Sequence, residues 1–298
     1  MKRKIEFTRD DLTLVGNLFT PAGFDEGGQY NAVVVEGSFS SVKEQMAGTY
    51  AEKFAEQGFV ALAFDYAHYG ESAGEPRQLE SPAEKLADLQ AAVSYLTGLP
   101  YVQAVGMVGV CTSAGNAAYL GAAEPRIKAL ATVAAFLPGP AVFSLLYGGE
   151  DGVTQRKQGA VDARRKYEET GEVVVVPAYS ETDVAAINYG PAGSFDYYLN
   201  EQRGNVPEYR NETALMSLEQ FLDFDPVSQA SAITTPTMVV HSDESAFPDQ
   251  AKSLYEGIPG EKELVWADGN HYDYYDSPAQ IDNAVANVTR FFRTYLTA

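Results

Sequence analysis

The stretch that decides the fold runs from Val105 to Gly115 and reads VGMVGVCTSAG. Its first six residues are apolar or glycine, which is typical of a strand buried on both faces, and the small residues after them favour a helix. A strand that enters a helix through the pattern small–x–nucleophile–x–small predicts a nucleophile elbow, a turn so tight that its flanking positions must be small. With Gly109 and Ser113 as those flanking residues, Cys111 is the nucleophile at the tip.

The same stretch allows a second register, in which Ser113 stands at the tip between Cys111 and Gly115. The apolar strand residues continue without interruption to Val110, and this favours a turn at Cys111. A thiol there lies at a helix N-terminus, whose dipole favours the thiolate, and the N–H of Thr112 points to the same space. The alternative is an inert cysteine, since cysteine is among the most buried residue types.

On both sides of this stretch, short apolar runs alternate with segments of helical periodicity, which predicts βαβ crossovers and a mostly parallel sheet. Turn residues and apolar–polar alternation in the first 30 residues predict antiparallel edge strands. The rhythm is interrupted between about 138 and 230, so we predict one α/β domain over 1–298 with a helical cap insertion at about 138–230. Such an insertion could cover the carboxyl edge of the sheet, where ligands bind in open α/β folds. The predicted strands are 31–35, 59–64, 105–110, 127–133, 237–241 and 263–266, and the predicted helices are 42–57, 81–97, 114–123, 154–170, 248–257 and 277–296.

Composition limits the classes of function. The 298 residues are 45% hydrophobic, enough for a sizeable core, and the formal net charge is 21 − 41 = −20. So acidic a surface repels phosphate backbones and anionic lipid, which argues against nucleic-acid and membrane partners. The single cysteine excludes an intrachain disulfide and a zinc site built on several cysteines. The sequence has no signal-peptide pattern and no run of about 18 apolar residues, so we expect a cytoplasmic protein.

Three histidines are the candidates for a catalytic base: His68, His241 and His271. In chains with a nucleophile elbow, the acid follows the nucleophile and the histidine comes last. His271 fits this order, in a loop after the last predicted strand. His68 precedes the elbow, and His241 ends a strand, where we expect it to be packed.

The acid of a triad is expected after strand 237–241, where Asp243 and Glu244 are the candidates. Either carboxylate could hold the imidazole in one tautomer and stabilise its charged form. Asp243 is favoured because its shorter side chain holds its geometry more tightly. Many hydrolases carry the acid two residues later, at the position that Ser245 occupies here.

The loop after the first central strand, residues 36–41, reads EGSFSS and is a second source of oxyanion donors. Its small residues let the backbone approach a substrate, and the N–H of Phe39 or Ser38 would join that of Thr112. Glu36, at the strand end, is unusual for a buried edge. It contacts the nucleophile region, is solvated, or pairs with Lys43, and the residues alone leave these alternatives open.

Four motifs together resemble the YcjY-type branch of the α/β-hydrolase superfamily, which is related to the dienelactone hydrolases. They are VKEQ (42–45), GFVALAFDYAHYGESAGEPR (58–77), GVCTSAG (109–115) and NHYDYYD (270–276). The resemblance implies an α/β-hydrolase fold with an eight-stranded, mostly parallel sheet, Cys111 as nucleophile and His271 as base. It also implies that Glu36 contacts the thiol. This chain departs from the family in the oxyanion loop, where Gly37-Ser38 replaces a histidine–glycine or histidine–proline pair.

These features predict an enzyme that cleaves or transfers the acyl group of a small ester, lactone or thioester through a Cys111–His271–Asp243 triad. No cofactor and no metal are expected, because the chain lacks a phosphate-binding glycine motif and its histidines lack ligand spacing. Tyr197 and Tyr198, in the aromatic stretch 186–209, are predicted to line the substrate pocket. The alternative is a non-catalytic ligand- or partner-binding protein on the same fold. The sequence does not decide between a monomer and a homodimer.

Overall fold

The computed structural model describes residues 1–297, and in them one eight-stranded sheet organises the chain. Its strands, in chain order, are β1 (Lys2–Arg9), β2 (Leu12–Phe19), β3 (Tyr30–Glu36), β4 (Val60–Phe64), β5 (Val102–Val110), β6 (Ile127–Val133), β7 (Thr237–His241) and β8 (Lys262–Trp266). Across the sheet they lie in the order β1-β2-β4-β3-β5-β6-β7-β8. Strands β3 to β8 run parallel, which confirms the predicted mostly parallel sheet.

The N-terminal hairpin forms one edge of the sheet. Strand β1 pairs antiparallel with β2, and β2 pairs antiparallel with β4, as the alternation in the first 30 residues predicts. Along β1 the burial alternates between exposed and buried positions, because an edge strand packs on one face only. Strand β4, further inside, is buried at all five positions.

Helices cover both faces of this sheet. Those described are α1 (Met46–Glu56), α2 (Pro82–Thr97), α3 (Thr112–Ala123), α4 (Pro140–Leu146), α5 (Glu150–Thr170), α6 (Asp196–Leu199), α7 (Leu218–Phe221), α8 (Pro248–Gly257), α9 (Asp273–Asp276) and α10 (Pro278–Tyr295). Helices α1 and α10 contribute to one apolar core, and α2, α3 and α8 contribute to the other. Helix α2 begins as its sequence predicts, with Pro82 in the first turn and the Ser81 hydroxyl accepting the N–H of Glu84 at 3.3 Å. No helix within residues 1–297 is long and apolar enough to cross a membrane.

The β6–β7 segment, residues 134–236, interrupts the alternation of strands and helices. It holds α4 to α7 and two pairs of two-residue strands, Val175–Val176 with Thr213–Ala214 and Tyr179–Ser180 with Asn188–Tyr189. Helix α5 begins four residues before the predicted charged stretch, because Glu150 and Asp151 extend its first turn. Side chains of this segment and of loops after β3, β5 and β8 line one cavity, so the segment lies over the carboxyl edge of the sheet.

Candidate active site

The turn between β5 and α3 has the strained geometry of an elbow. Cys111 stands at the helix start with φ 57° and ψ −121°, a conformation that L-residues rarely adopt. Gly109 is required here, because a Cβ on it would lie 2.1 Å from the carbonyl oxygen of Ser113. The turn directs the Cys111 side chain into the cavity, although the residue is only 5% exposed.

The Ser113 hydroxyl, the tip of the alternative register, faces the protein interior. Its oxygen lies 3.3 Å from the Tyr66 hydroxyl and 3.3 Å from Nδ2 of Asn116. Ser113 is fully buried. The structure therefore places this hydroxyl among interior polar groups and the Cys111 side chain against the cavity.

Two backbone N–H groups converge on the Cys111 sulfur. Those of Thr112 and Phe39 both lie close enough to lower the pKa of the thiol by hydrogen bonding. The Phe39 loop is held in place because Gly37 accepts the N–H of Ser113 at 3.2 Å and the Tyr179 hydroxyl donates to the Phe39 carbonyl at 3.2 Å. Two backbone donors beside one side chain are the kind of groups from which oxyanion holes are built.

Burial nevertheless raises the pKa of the Cys111 thiol above its ordinary value, since desolvation outweighs the hydrogen bonds to the sulfur. The helix dipole is expected to favour the thiolate, but desolvation by burial has the larger effect on the pKa of this thiol. Burial therefore favours the neutral thiol over the thiolate.

His271 lies in the loop after β8 and lines the same cavity as Cys111. Its Nδ1 is 2.8 Å from the Ser245 hydroxyl and accepts the N–H of Ala246 at 3.3 Å, while its Nε2 is 2.9 Å from the Tyr275 hydroxyl. Burial, with a smaller contribution from the nearby His241, lowers the pKa of His271 to about 3. The imidazole is therefore neutral at pH 7.

The structure does not bring the predicted acid to this imidazole. The Asp243 side chain is 77% exposed and lies 3.8 Å from Lys252, and Glu244 is exposed as well. The Ser245 N–H bonds back to the carbonyl of Ser242, a turn that leaves 243 and 244 at the surface and returns Ser245 to the histidine. A serine hydroxyl, and not a carboxylate, therefore lies beside Nδ1 of His271.

Tyr275 was not singled out from the sequence, yet it stands between the two catalytic candidates. Its hydroxyl contacts Nε2 of His271 and is among the groups that lower the pKa of the Cys111 thiol. It also receives a long hydrogen bond, 3.5 Å, from the Tyr198 hydroxyl. The spacing of four residues between His271 and Tyr275 was the available signal, because it places both side chains on one side of a helical turn.

The cavity in front of Cys111 has a volume of about 260 Å³, small for a ligand pocket, and its walls are mostly aromatic. Tyr198 lines it, whereas Tyr197 is buried behind the wall, edge-on to Tyr275 at 4.9 Å and against Gly204. Tyr197, which the sequence predicts to line the pocket, therefore packs behind the pocket wall. The other phenylalanine and tyrosine residues that line the cavity are Phe39, Phe136, Tyr147, Tyr179, Tyr189, Phe195, Phe221, Phe247, Tyr272 and Tyr275.

Glu36 points away from the cavity. It is buried at the end of β3, where its carboxylate accepts the N–H of Phe64 at 3.0 Å, and burial raises the pKa of Glu36 well above its ordinary value. Lys43, one partner considered for it, instead bonds to the buried Asp65 at 2.7 Å and to Glu71 at 2.9 Å. Glu36 therefore does not make the expected contact with the thiol, and its role is structural.

The other two histidines have structural partners. Nδ1 of His241 accepts the N–H of Ala135 at 3.1 Å, and Nε2 of His68 lies 2.8 Å from the Glu84 carboxylate. Both side chains are buried. Among residues 1–297, no three histidine, cysteine or acidic side chains are grouped so as to hold a metal ion.

Comparison with known proteins places this chain in a family. Residues 10–273 match the model of the X-Pro dipeptidyl-peptidase (S15 family). The uncharacterized protein YcjY of Escherichia coli (strain K12) is 32% identical, with 99% of this chain and 100% of that protein covered. The thiohydrolase aneE of Aspergillus aculeatus is 25% identical over 90% of this chain and 86% of its own length. The crystal structure of the hypothetical protein PA2218 from Pseudomonas aeruginosa superposes with a TM-score of 0.85 at 28% identity, covering 99% of this chain and 94% of that one.

Proposed function

The chain belongs to the X-Pro dipeptidyl-peptidase (S15) family of α/β-hydrolases, and on that premise we propose that it cleaves or transfers the acyl group of a small thioester or ester, with Cys111 as the nucleophile. One observation carries the proposal. The thiol stands at a strained elbow, faces a cavity, and has the N–H groups of Phe39 and Thr112 beside it. Attack by sulfur on a carbonyl carbon would leave the oxyanion between those two donors.

His271 is the proposed base, and Tyr275 links it to the sulfur. The thiol proton passes to the Tyr275 oxygen while the Tyr275 proton passes to Nε2, and the sulfur bonds to the carbonyl carbon. Collapse of the tetrahedral intermediate breaks the bond to the leaving thiolate or alkoxide, which takes the proton back along the same path. Water, or another acceptor, then attacks the carbonyl carbon of the acyl-enzyme and gives its proton to His271 through Tyr275. The bond between this carbon and the Cys111 sulfur breaks, and the sulfur takes the proton back; release by water is hydrolysis, and release by another nucleophile is acyl transfer.

The base form of His271 carries its proton on Nδ1, where the Ser245 hydroxyl can accept it. The Ala246 N–H faces the same nitrogen and favours the opposite tautomer. With a hydroxyl in place of a carboxylate, the imidazolium is poorly stabilised, so His271 is a weak base. A cysteine tolerates this better than a serine, because sulfur is intrinsically nucleophilic and needs less help from a base.

The same weakness selects the bond that is cleaved. An amine leaving group must be protonated by the imidazolium as it departs, whereas a thiolate leaves without that help. A site whose imidazolium is unstable therefore favours thioesters and activated esters over peptide bonds. The relative that is named a thiohydrolase supports the same choice.

A panel of four substrates tests this proposal. We expect the purified protein to turn over a short-chain acyl N-acetylcysteamine thioester best, then a p-nitrophenyl ester and a lactone, with an X-Pro p-nitroanilide at least about 100-fold slower in kcat/KM because its amine leaving group needs an acid. Product release is followed by thiol titration and by absorbance. Turnover of the anilide as fast as the thioester would contradict the leaving-group argument, and no turnover of any would favour a binding protein.

A second prediction concerns the pH dependence of Cys111 alkylation and the effect of Ser245 on it. In the native protein, alkylation of Cys111 by iodoacetamide should rise with a midpoint above the ordinary thiol pKa of about 8.5, because burial disfavours the thiolate and His271 stays neutral. Ser245→Asp puts a carboxylate beside Nδ1, stabilises the imidazolium, and should lower the midpoint, with alkylation at pH 7 faster by about 10-fold or more.

Ser245→Asn is the matched control, since it has the shape of aspartate without the charge. Thermal melting of both variants shows whether each variant is folded. The interpretation is wrong if the Asn variant shifts the midpoint as far as the Asp variant, or if the native midpoint lies below pH 7.

A further inference from the structure

One charged residue lines the mostly aromatic cavity in the part of the chain that the structure describes; the polar residues Thr112, Asn188 and His271 also line it. The charged residue is Arg156 on α5, whose guanidinium carbon lies 4.2 Å from the centre of the Tyr147 ring. Its two terminal nitrogens reach the carbonyl oxygens of Ala186 and Val184 at 3.5 and 3.4 Å, both long for hydrogen bonds. The guanidinium is therefore held at the cavity wall by an aromatic face and keeps most of its donor capacity.

The neighbours of Arg156 on the same helix are paired with carboxylates. Lys157 bonds to Asp223, Arg164 to Glu219 at 2.6 Å, and Lys166 to Glu172. Arg156 has no carboxylate within 4.0 Å among residues 1–297, in a chain with 41 acidic residues and 21 basic ones. An excess of acidic residues makes an unpaired arginine at a cavity unusual, and the guanidinium is a strong donor without its usual partner.

We propose that Arg156 binds an anionic group, a carboxylate or a phosphate, on the substrate whose acyl group Cys111 receives; this rests on the proposed function. The guanidinium fork matches the two oxygens of either anion and can bind them side by side. Cys111 and Arg156 line the same cavity, and its aromatic walls suit the carbon chain that separates the anion from the reacting carbonyl. The formal charge of −20 repels anions at long range, so local capture by Arg156 is what would select such a substrate.

The anion has two sources, and three substrates distinguish them. Hexanoyl N-acetylcysteamine is neutral, the adipoyl mono-thioester of N-acetylcysteamine carries a carboxylate at the far end of the acyl chain, and hexanoyl-coenzyme A carries phosphates on the leaving thiol. Arg156→Gln should lower the preference for the recognised anionic substrate over the neutral one by about 10- to 100-fold in kcat/KM, mostly through KM. Arg156→Lys should retain part of it, because it keeps the charge without the fork.

Lys157→Gln is the control, since it removes a positive charge from the next residue of the same helix and should leave all the ratios unchanged. A fall for the adipoyl substrate alone assigns the anion to the acyl chain, and a fall for hexanoyl-coenzyme A alone assigns it to the leaving thiol. Equal losses for all three substrates, or no change in any ratio, would overturn the proposal. Calorimetry can also measure the binding of the same intact thioesters to Cys111→Ala and to the double variant with Arg156→Gln. This comparison gives the preference for the anionic substrate even if the native protein turns none of them over.

Discussion

Replacing Cys111 with alanine should lower kcat/KM for a thioester by about 10⁴-fold or more, because the atom that forms the acyl bond is lost. Cys111→Ser should be almost as inactive. A serine hydroxyl is a much weaker acid than a thiol, and a histidine that lacks a carboxylate partner is too weak a base to activate it. Steady-state kinetics with an acyl N-acetylcysteamine thioester, together with a thermal melt, measures both variants.

Ser113→Ala is the matched control for this prediction. The Ser113 hydroxyl bonds to Tyr66 and Asn116 in the interior, so its loss should affect stability more than turnover. If Ser113→Ala abolished turnover in a folded protein while Cys111→Ala retained it, the elbow would have the other register. The double variant Cys111→Ser with Ser245→Asp should be more active than Cys111→Ser alone, since the carboxylate strengthens the base.

Replacing His271 with alanine should lower kcat by about 10²- to 10⁴-fold, the usual contribution of a general base. Tyr275→Phe should cause a similar loss of kcat if its hydroxyl carries the proton between sulfur and imidazole, and the two losses should not add, since both remove one path. Measuring kcat for the single and double variants gives this comparison.

His68→Ala is the control, because His68 is buried, pairs with Glu84 and does not line the cavity. Its loss should lower the melting temperature and leave the kcat of the folded fraction close to native. A large loss of kcat in His68→Ala and none in His271→Ala would show that the base is misassigned. Fully additive losses in His271→Ala and Tyr275→Phe would exclude the relay and leave His271 acting alone.

The sheet could be predicted because local patterns are enough to specify it. Apolar runs such as 31–35 and 127–133 are typical of strands buried on both faces, and Gly109 is small because the carbonyl of Ser113 leaves no room for a Cβ. The same local patterns predict that Cys111 lies at the tip of the elbow. These features depend on neighbours within a few residues, which a sequence shows directly.

The contacts of the site depend on how loops turn, and the sequence does not show this. Asp243 and Ser245 differ by two positions, but a turn at Ser242 exposes the first and buries the second beside His271. Tyr197 and Tyr198 are adjacent, and consecutive side chains of a helical turn point in different directions, so one packs behind the wall and the other lines the cavity. Arg156 and Tyr275 enter the site from elements far from the elbow in sequence.

Trapping the acyl-enzyme tests directly whether Cys111 is the nucleophile. The native protein is mixed with an acyl thioester, quenched in acid within the first turnovers, digested, and analysed by fragmentation mass spectrometry. We predict the acyl mass on Cys111, removed by neutral hydroxylamine as a thioester should be, and absent from Cys111→Ala. An acyl group on Ser113 or Ser245, stable to that treatment, would contradict the assignment of Cys111 as the nucleophile.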